Sequence, residues 1–140
     1  MKNGGILNGE LLDIIARAGH RDLVVVTDRG FPLSSAPHVR TVDLSIVPGL
    51  PSLLDVLRPL SEELVVEGTI IAEETLSQNG VIASEVRGMF SAVSETIIPH
   101  TQLKETVMSG SGEIGRVVAQ IRTGEWTRYG NVVLMCGVAF

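Results

Sequence analysis

Leu23-Val24-Val25-Val26-Thr27 is the stretch on which the fold turns. Five consecutive apolar or β-branched residues without polar alternation describe a strand buried on both faces, the kind found inside a parallel sheet covered by helices. The strand ends at Asp28. Upstream, Leu11, Leu12, Ile14, Ile15 and Ala18 recur at helical spacing between Asn8, a good N-cap, and Gly19, so a helix is expected over 9–18. Downstream, Pro32 and Pro37 hold a loop, Val39 to Leu44 reads as a short strand, and Pro48-Gly49-Leu50-Pro51 turns the chain into a helix from Ser52. Leu64 to Ala72 is a second buried-type strand, followed by a helix expected from Gln78 to Phe90. A strand over Glu95 to Pro99, a helix over Thr101 to Met108, and strands over Arg116 to Arg122 and Val132 to Ala139 complete the reading. Helices alternating with apolar strands predict a single α/β domain over residues 1–140, with a mostly parallel central sheet flanked by helices.

Composition narrows the function classes. Eleven basic and sixteen acidic residues make 19% of 140 positions, below the ~25% usual for soluble domains. Mean hydropathy is +0.31. A chain of this mass would expose roughly 7,000 Å², one charged group for about every 260 Å², so part of the surface is expected to be covered by copies of the chain itself. The apolar run Val132 to Cys136, with Gly137 to Phe140, is expected to form such a covered edge. A net charge of −5 without a Lys/Arg stripe, and only five aromatic residues, argue against nucleic acid as a partner. No apolar run approaches the ~20 residues of a membrane span, the single Cys136 cannot form an internal disulfide, and the N-terminus lacks signal-peptide character, so a cytoplasmic location is expected.

Three motif matches carry no chemistry. Gly110-Ser111-Gly112-Glu113-Ile114-Gly115 fits G-x-G-x-x-G but follows a helix and precedes a strand, the reverse of the dinucleotide-binding order, and reads as a flexible loop. His20-Arg21-Asp22-Leu23 spells the start of a kinase catalytic loop, yet Thr27 stands where Asn is required. Glu73-Glu74 is read as a solvated loop, since adjacent side chains do not face each other, and no metal-ligand spacing exists.

The candidate site starts from Asp28, because ligands of open α/β sheets bind beyond the carboxyl ends of the strands. His20 lies three residues before the strand and is expected to share a pocket with Asp28 if helix and strand pack as antiparallel neighbours. The plain alternative makes His20 a helix cap and Asp28 a turn former before Gly30. His100 reads equally as a cap for the helix starting at Thr101, and Tyr129 to Asn131 as a turn before the last strand. His38, in a Pro-flanked loop, is read as solvent-exposed.

Taken in order and spacing, Gly5-Ile6-Leu7-Asn8, Gly19-His20 with the strand and Asp28, Val42-Asp43-Leu44-Ser45 running to Pro51, Ile98-Pro99-His100, and Ile121 through Tyr129-Gly130-Asn131 to Val138 form a set. On these residues the chain resembles the D-ribose pyranase and fucose mutarotase family, in particular its ribose pyranase branch, across essentially its whole length. The resemblance implies a cytoplasmic, cofactor-free isomerase of D-ribose that interconverts pyranose, furanose and anomeric forms. It also implies a ring-shaped homo-oligomer, commonly a decamer of stacked pentamers, with the pocket near a subunit boundary. By the same resemblance His20 is the catalytic histidine, Asp28 and His100 bind substrate, and Tyr129, Gly130 and Asn131 contact the sugar. Arg29 stands where ribose pyranases often have a small residue, putting a charge at the pocket rim. Gly130, in place of the more usual Ala, would widen the sugar-contacting segment. A link to a ribose transporter and a ribokinase is suggested only by the family.

The residue types suit that chemistry. Opening a cyclic hemiacetal protonates the ring oxygen while the anomeric hydroxyl loses a proton, and an imidazole ordinarily titrating near pH ~6.5 exchanges such protons at neutral pH. Neutral sugars present hydroxyls, which paired donor–acceptor side chains hold better than a charged clamp. L-fucose mutarotase activity, or a non-catalytic sugar-binding role beside an uptake system, are the competing functions.

Overall fold

The computed structural model describes residues 1–140. In chain order its elements are α1 (Gly9–Arg17), β1 (Leu23–Thr27), β2 (Arg40–Asp43), α2 (Leu53–Glu63), β3 (Val66–Ala72), α3 (Glu73–Gln78), α4 (Gly80–Met89), β4 (Ser94–Ile98), α5 (His100–Ser109), β5 (Ser111–Gly112), β6 (Gly115–Arg122) and β7 (Val132–Cys136). The sheet runs β2-β6-β1-β7-β3-β4. β1 pairs in parallel with β6, β6 with β2, and β3 with β4, while β7 is antiparallel to both its neighbours. All the long strands but β7 therefore point one way, as the sequence reading expects.

Period-two alternation divides the core. Val24 and Val26 of β1 join Ile121, Val132 and Leu134 under α1, α2 and α4. Leu23 and Val25 face the other way, onto Leu103 and Val107 of α5 and onto Phe31 and Val39 of the covering loop. That loop is pinned by Gln120, fully buried in β6, whose amide accepts from the Ser34 N–H at 2.8 Å and donates to the Pro32 carbonyl at 3.0 Å. Local signals start the helices where expected. Asn8 accepts from the N–H groups of Glu10 and Leu11 at 2.9 and 3.1 Å, and Ser52 and Asp55 form a reciprocal capping box.

Three expectations change. β7 lies between β1 and β3, so its apolarity belongs to the centre of the sheet and not to a covered edge. The helix expected from Gln78 begins earlier, as two helices broken at Asn79: Glu73 and Glu74 favour a helix first turn, and Asn79 then caps α4. The Gly110–Gly115 segment is a tight hairpin, Ser111 pairing with Arg116 and Gly112 with Gly115, rather than a flexible loop. No helix is long and apolar enough to cross a membrane.

Candidate functional site

The carboxyl ends of β1, β3, β4 and β6 converge on a cleft of about 470 Å³, lined by Asp28, Gly30, Phe31, Pro32, His100, Lys104, Glu125, Trp126, Thr127, Arg128 and Tyr129. This is where the strand-end rule puts a ligand. Asp28 caps the turn after β1: its carboxylate accepts from the Phe31 N–H at 2.9 Å, and its own N–H donates to Asn131 Oδ1 at 3.0 Å. Burial pushes its carboxyl above the ordinary aspartate range, and the backbone donors of Phe31 and Gly30 and the nearby His100 pull it partly back. The site therefore holds a carboxyl group closer to neutrality than a surface aspartate.

His100 is the first residue of α5, so it is not the helix cap; Pro99 takes that position and has no side chain for the task. Glu74 supplies the missing acceptor from α3, taking the His100 N–H at 2.8 Å. The imidazole is packed edge-on between Phe31, with ring centroids 5.7 Å apart, and Tyr129, at 5.0 Å. Tyr129 adopts φ 56°, a left-handed conformation uncommon for a bulky residue, and Thr75 Oγ1 holds it by donating to its carbonyl at 2.8 Å. Three buried polar atoms around Asp28, namely Thr27 Oγ1, His100 Nδ1 and Asn131 Nδ2, have no hydrogen-bond partner. Unsatisfied polar atoms are costly in a core, and of the three residues only His100 lines the cleft.

Glu125 supports the loop. Its buried carboxylate accepts from the N–H of Leu53 at 3.1 Å, the N–H of Thr127 at 3.1 Å and Thr127 Oγ1 at 2.7 Å, tying the loop after β6 to the start of α2. A Cβ on Gly124 would run into the backbone of Leu50, so glycine alone permits that approach. The methyl absent at Gly130 would meet Glu125 Cγ at 2.8 Å, so this glycine makes room for Glu125 and does not widen the cleft. Gly130 and Asn131 are buried and form no part of the cleft wall. Arg29 is exposed and also outside the wall, whose cations are Lys104 and Arg128.

His20 does not join Asp28. Antiparallel packing of α1 on β1 puts the helix C-terminus beside the start of the strand, so the two residues lie at opposite ends of β1, roughly 17 Å of strand apart. The His20 side chain is 53% exposed, and its Nε2 meets Glu67 Oε2 of β3 at 2.9 Å. His38 is exposed, as read, with Nε2 3.0 Å from the Gly110 carbonyl. Sequence reasoning missed Glu74 and Glu125. The strand-end position of Glu73-Glu74 was the signal for the first, whereas nothing in the sequence marked the second.

Known proteins share this sequence pattern and fold. The chain is 40% identical to the D-ribose pyranase of Kosmotoga olearia and 41% identical to that of Streptomyces coelicolor, each alignment covering all of both chains. Its fold superposes on Bacillus subtilis RbsD complexed with D-ribose with a TM-score of 0.89 at 37% identity, covering 100% of both chains. The fucose mutarotase of Streptococcus pneumoniae, solved with L-fucose, shares the fold at a TM-score of 0.72 and 17% identity over 96% of this chain and 95% of that one. A family model matches residues 1–139, and the chain belongs to the RbsD / FucU transport protein family.

Proposed function

We infer that the chain is a D-ribose pyranase, an isomerase that interconverts the pyranose and furanose forms of D-ribose and their anomers. The observation that carries this reading is the strand-end cleft, with a buried carboxyl and a histidine, in a chain collinear with D-ribose pyranases.

The reaction needs two proton transfers and no redox change. One group protonates the ring oxygen as the C1–O bond breaks, another takes the anomeric hydroxyl proton, and the open aldehyde recloses through a different hydroxyl. His20 is the proposed acid/base, with Asp28 orienting substrate and exchanging the second proton, His100 and Tyr129 holding hydroxyls, and Gly130 and Asn131 acting from behind the wall, the first by making room for Glu125 and the second by fixing the Asp28 backbone. Because His20 is exposed and remote from its own cleft, it would serve the cleft of a neighbouring copy in a ring-shaped assembly, a decamer by the family resemblance. No metal or cofactor enters the proposed reaction. The enzyme would act in the cytoplasm, supplying ring forms of ribose between a transporter and a ribokinase.

Exchange spectroscopy with D-ribose and with L-fucose tests the reading. Rapid pyranose–furanose exchange of ribose is expected, and acceleration of fucose anomers alone would sink it. Sugar binding without any exchange would leave an accessory binding protein. Light scattering should give a multiple of 14.9 kDa, and a 15 kDa species refutes the ring.

A further inference from the structure

We propose that Trp126 is a sugar-stacking residue that sets how tightly the cleft holds its substrate, its indole forming the face on which the C–H side of a monosaccharide ring lies. This rests on the reading of the cleft as a monosaccharide site. Trp126 is the chain's only tryptophan, lines the cleft, and is 67% exposed.

Its exposure is not the slack of a loose loop. On one side Glu125 is buried and held by Leu53 and Thr127, with its carbonyl accepting from the Arg29 N–H at 3.0 Å. On the other side Asn79 Nδ2 donates to Thr127 Oγ1 at 2.9 Å and to the Arg128 carbonyl at 2.8 Å. A framework fixed on both flanks thus presents a large aromatic ring to solvent at the mouth of a cleft, a pattern that marks contact surfaces.

The remaining wall leaves this task open. A monosaccharide ring has hydroxyl edges and an apolar C–H face. Asp28, Lys104, Thr127 and Arg128 offer hydrogen bonds to the edges. Phe31 is 3% exposed, and His100 sits edge-on between it and Tyr129, so these rings are engaged with one another. Trp126 is the most exposed aromatic residue of the cleft lining, whereas Tyr129 and His100 are half-buried and packed on each other.

As the sole tryptophan, Trp126 reports on itself. Titrating D-ribose into the wild-type assembly should change its fluorescence saturably, with the midpoint matching half-saturation of ribose exchange. Trp126→Ala should raise that half-saturating concentration about tenfold and change the maximal exchange rate less than twofold, with Trp126→Phe restoring most of the affinity. Wild type that exchanges ribose while its emission ignores the sugar overturns the proposal. So does emission that follows assembly, with Trp126→Ala altering particle mass but not half-saturation, because the indole would then belong to a subunit contact. If wild type exchanges no ribose, the functional reading fails separately, and a saturable emission response to L-fucose would support stacking while none would overturn it.

Discussion

The two ends of β1 carry histidines and carboxylates in opposite states. At the carboxyl end Asp28 is buried, His100 is wedged between two aromatic rings with its N–H held by Glu74, and Glu125 braces the neighbouring loop through Leu53 and Thr127. At the amino end His20 stands exposed, with Glu67 as its hydrogen-bond partner and Arg21 beside the same carboxylate. The first end is preorganised within one chain, as binding sites are. The second presents an exposed imidazole that lines neither the strand-end cleft nor the pocket beside Ala18 and Asp22. On the proposed roles, binding and proton transfer come from different protomers.

Removing either end separates these roles. His20→Ala should slow ribose exchange by ~10²–10⁴-fold while sugar binding and assembly persist, measured by exchange spectroscopy and ligand titration. Exchange at the wild-type rate would remove the amino end from the mechanism. Asp28→Asn should cost activity and binding together, yet leave thermal stability unchanged or higher. Burial raises the Asp28 pKa, so the folded chain binds its proton more tightly than the unfolded one. The group therefore favours folding below its ordinary range, and stability falls as pH rises through the folded value. Asp28→Asn should abolish that fall, visible in melting temperatures across pH.

Smaller effects test the supports. Glu74→Ala removes the acceptor at the start of α5, which should cost about 1 kcal/mol and weaken ribose binding, with Glu74→Gln recovering both. Beside the carboxyl end of β1 but outside the cleft, Arg122 binds Asp43 across β6 and β2 and lowers its carboxyl to about 2. A lowered value means stability present above pH ~4 and lost as pH falls towards 2, so Asp43→Asn should flatten acid denaturation in that window. Ribose exchange at neutral pH should be unaffected, since Asp43 lies outside the cleft.

Much of the fold was legible because β1 and β7 are nearly continuous apolar runs, and the helix starts carry caps at Asn8 and Ser52. The place of β7 was not, since a central strand and a covered edge are equally apolar in one dimension, and only long-range pairing tells them apart. Asp28, His100 and Tyr129 were legible as site residues by position and resemblance, and the fold gathers them at one strand end. The separation of His20 from Asp28 was legible as well, because a five-residue strand lying between them puts them roughly 17 Å apart whatever the helix does. Glu74 was obscured by its neighbour: the helix turns Glu73 to solvent and leaves Glu74 half-buried against His100.

Mixing two inactive variants tests most directly whether one site needs two chains. His20→Ala and Asp28→Asn protomers, dissociated and reassembled together at equal amounts, should regain about a quarter of the wild-type exchange rate, because one interface in four then pairs an intact His20 with an intact Asp28. Mixed assemblies of wild-type mass that remain as inactive as their parents would contradict the account and place both residues in the chemistry of a single chain.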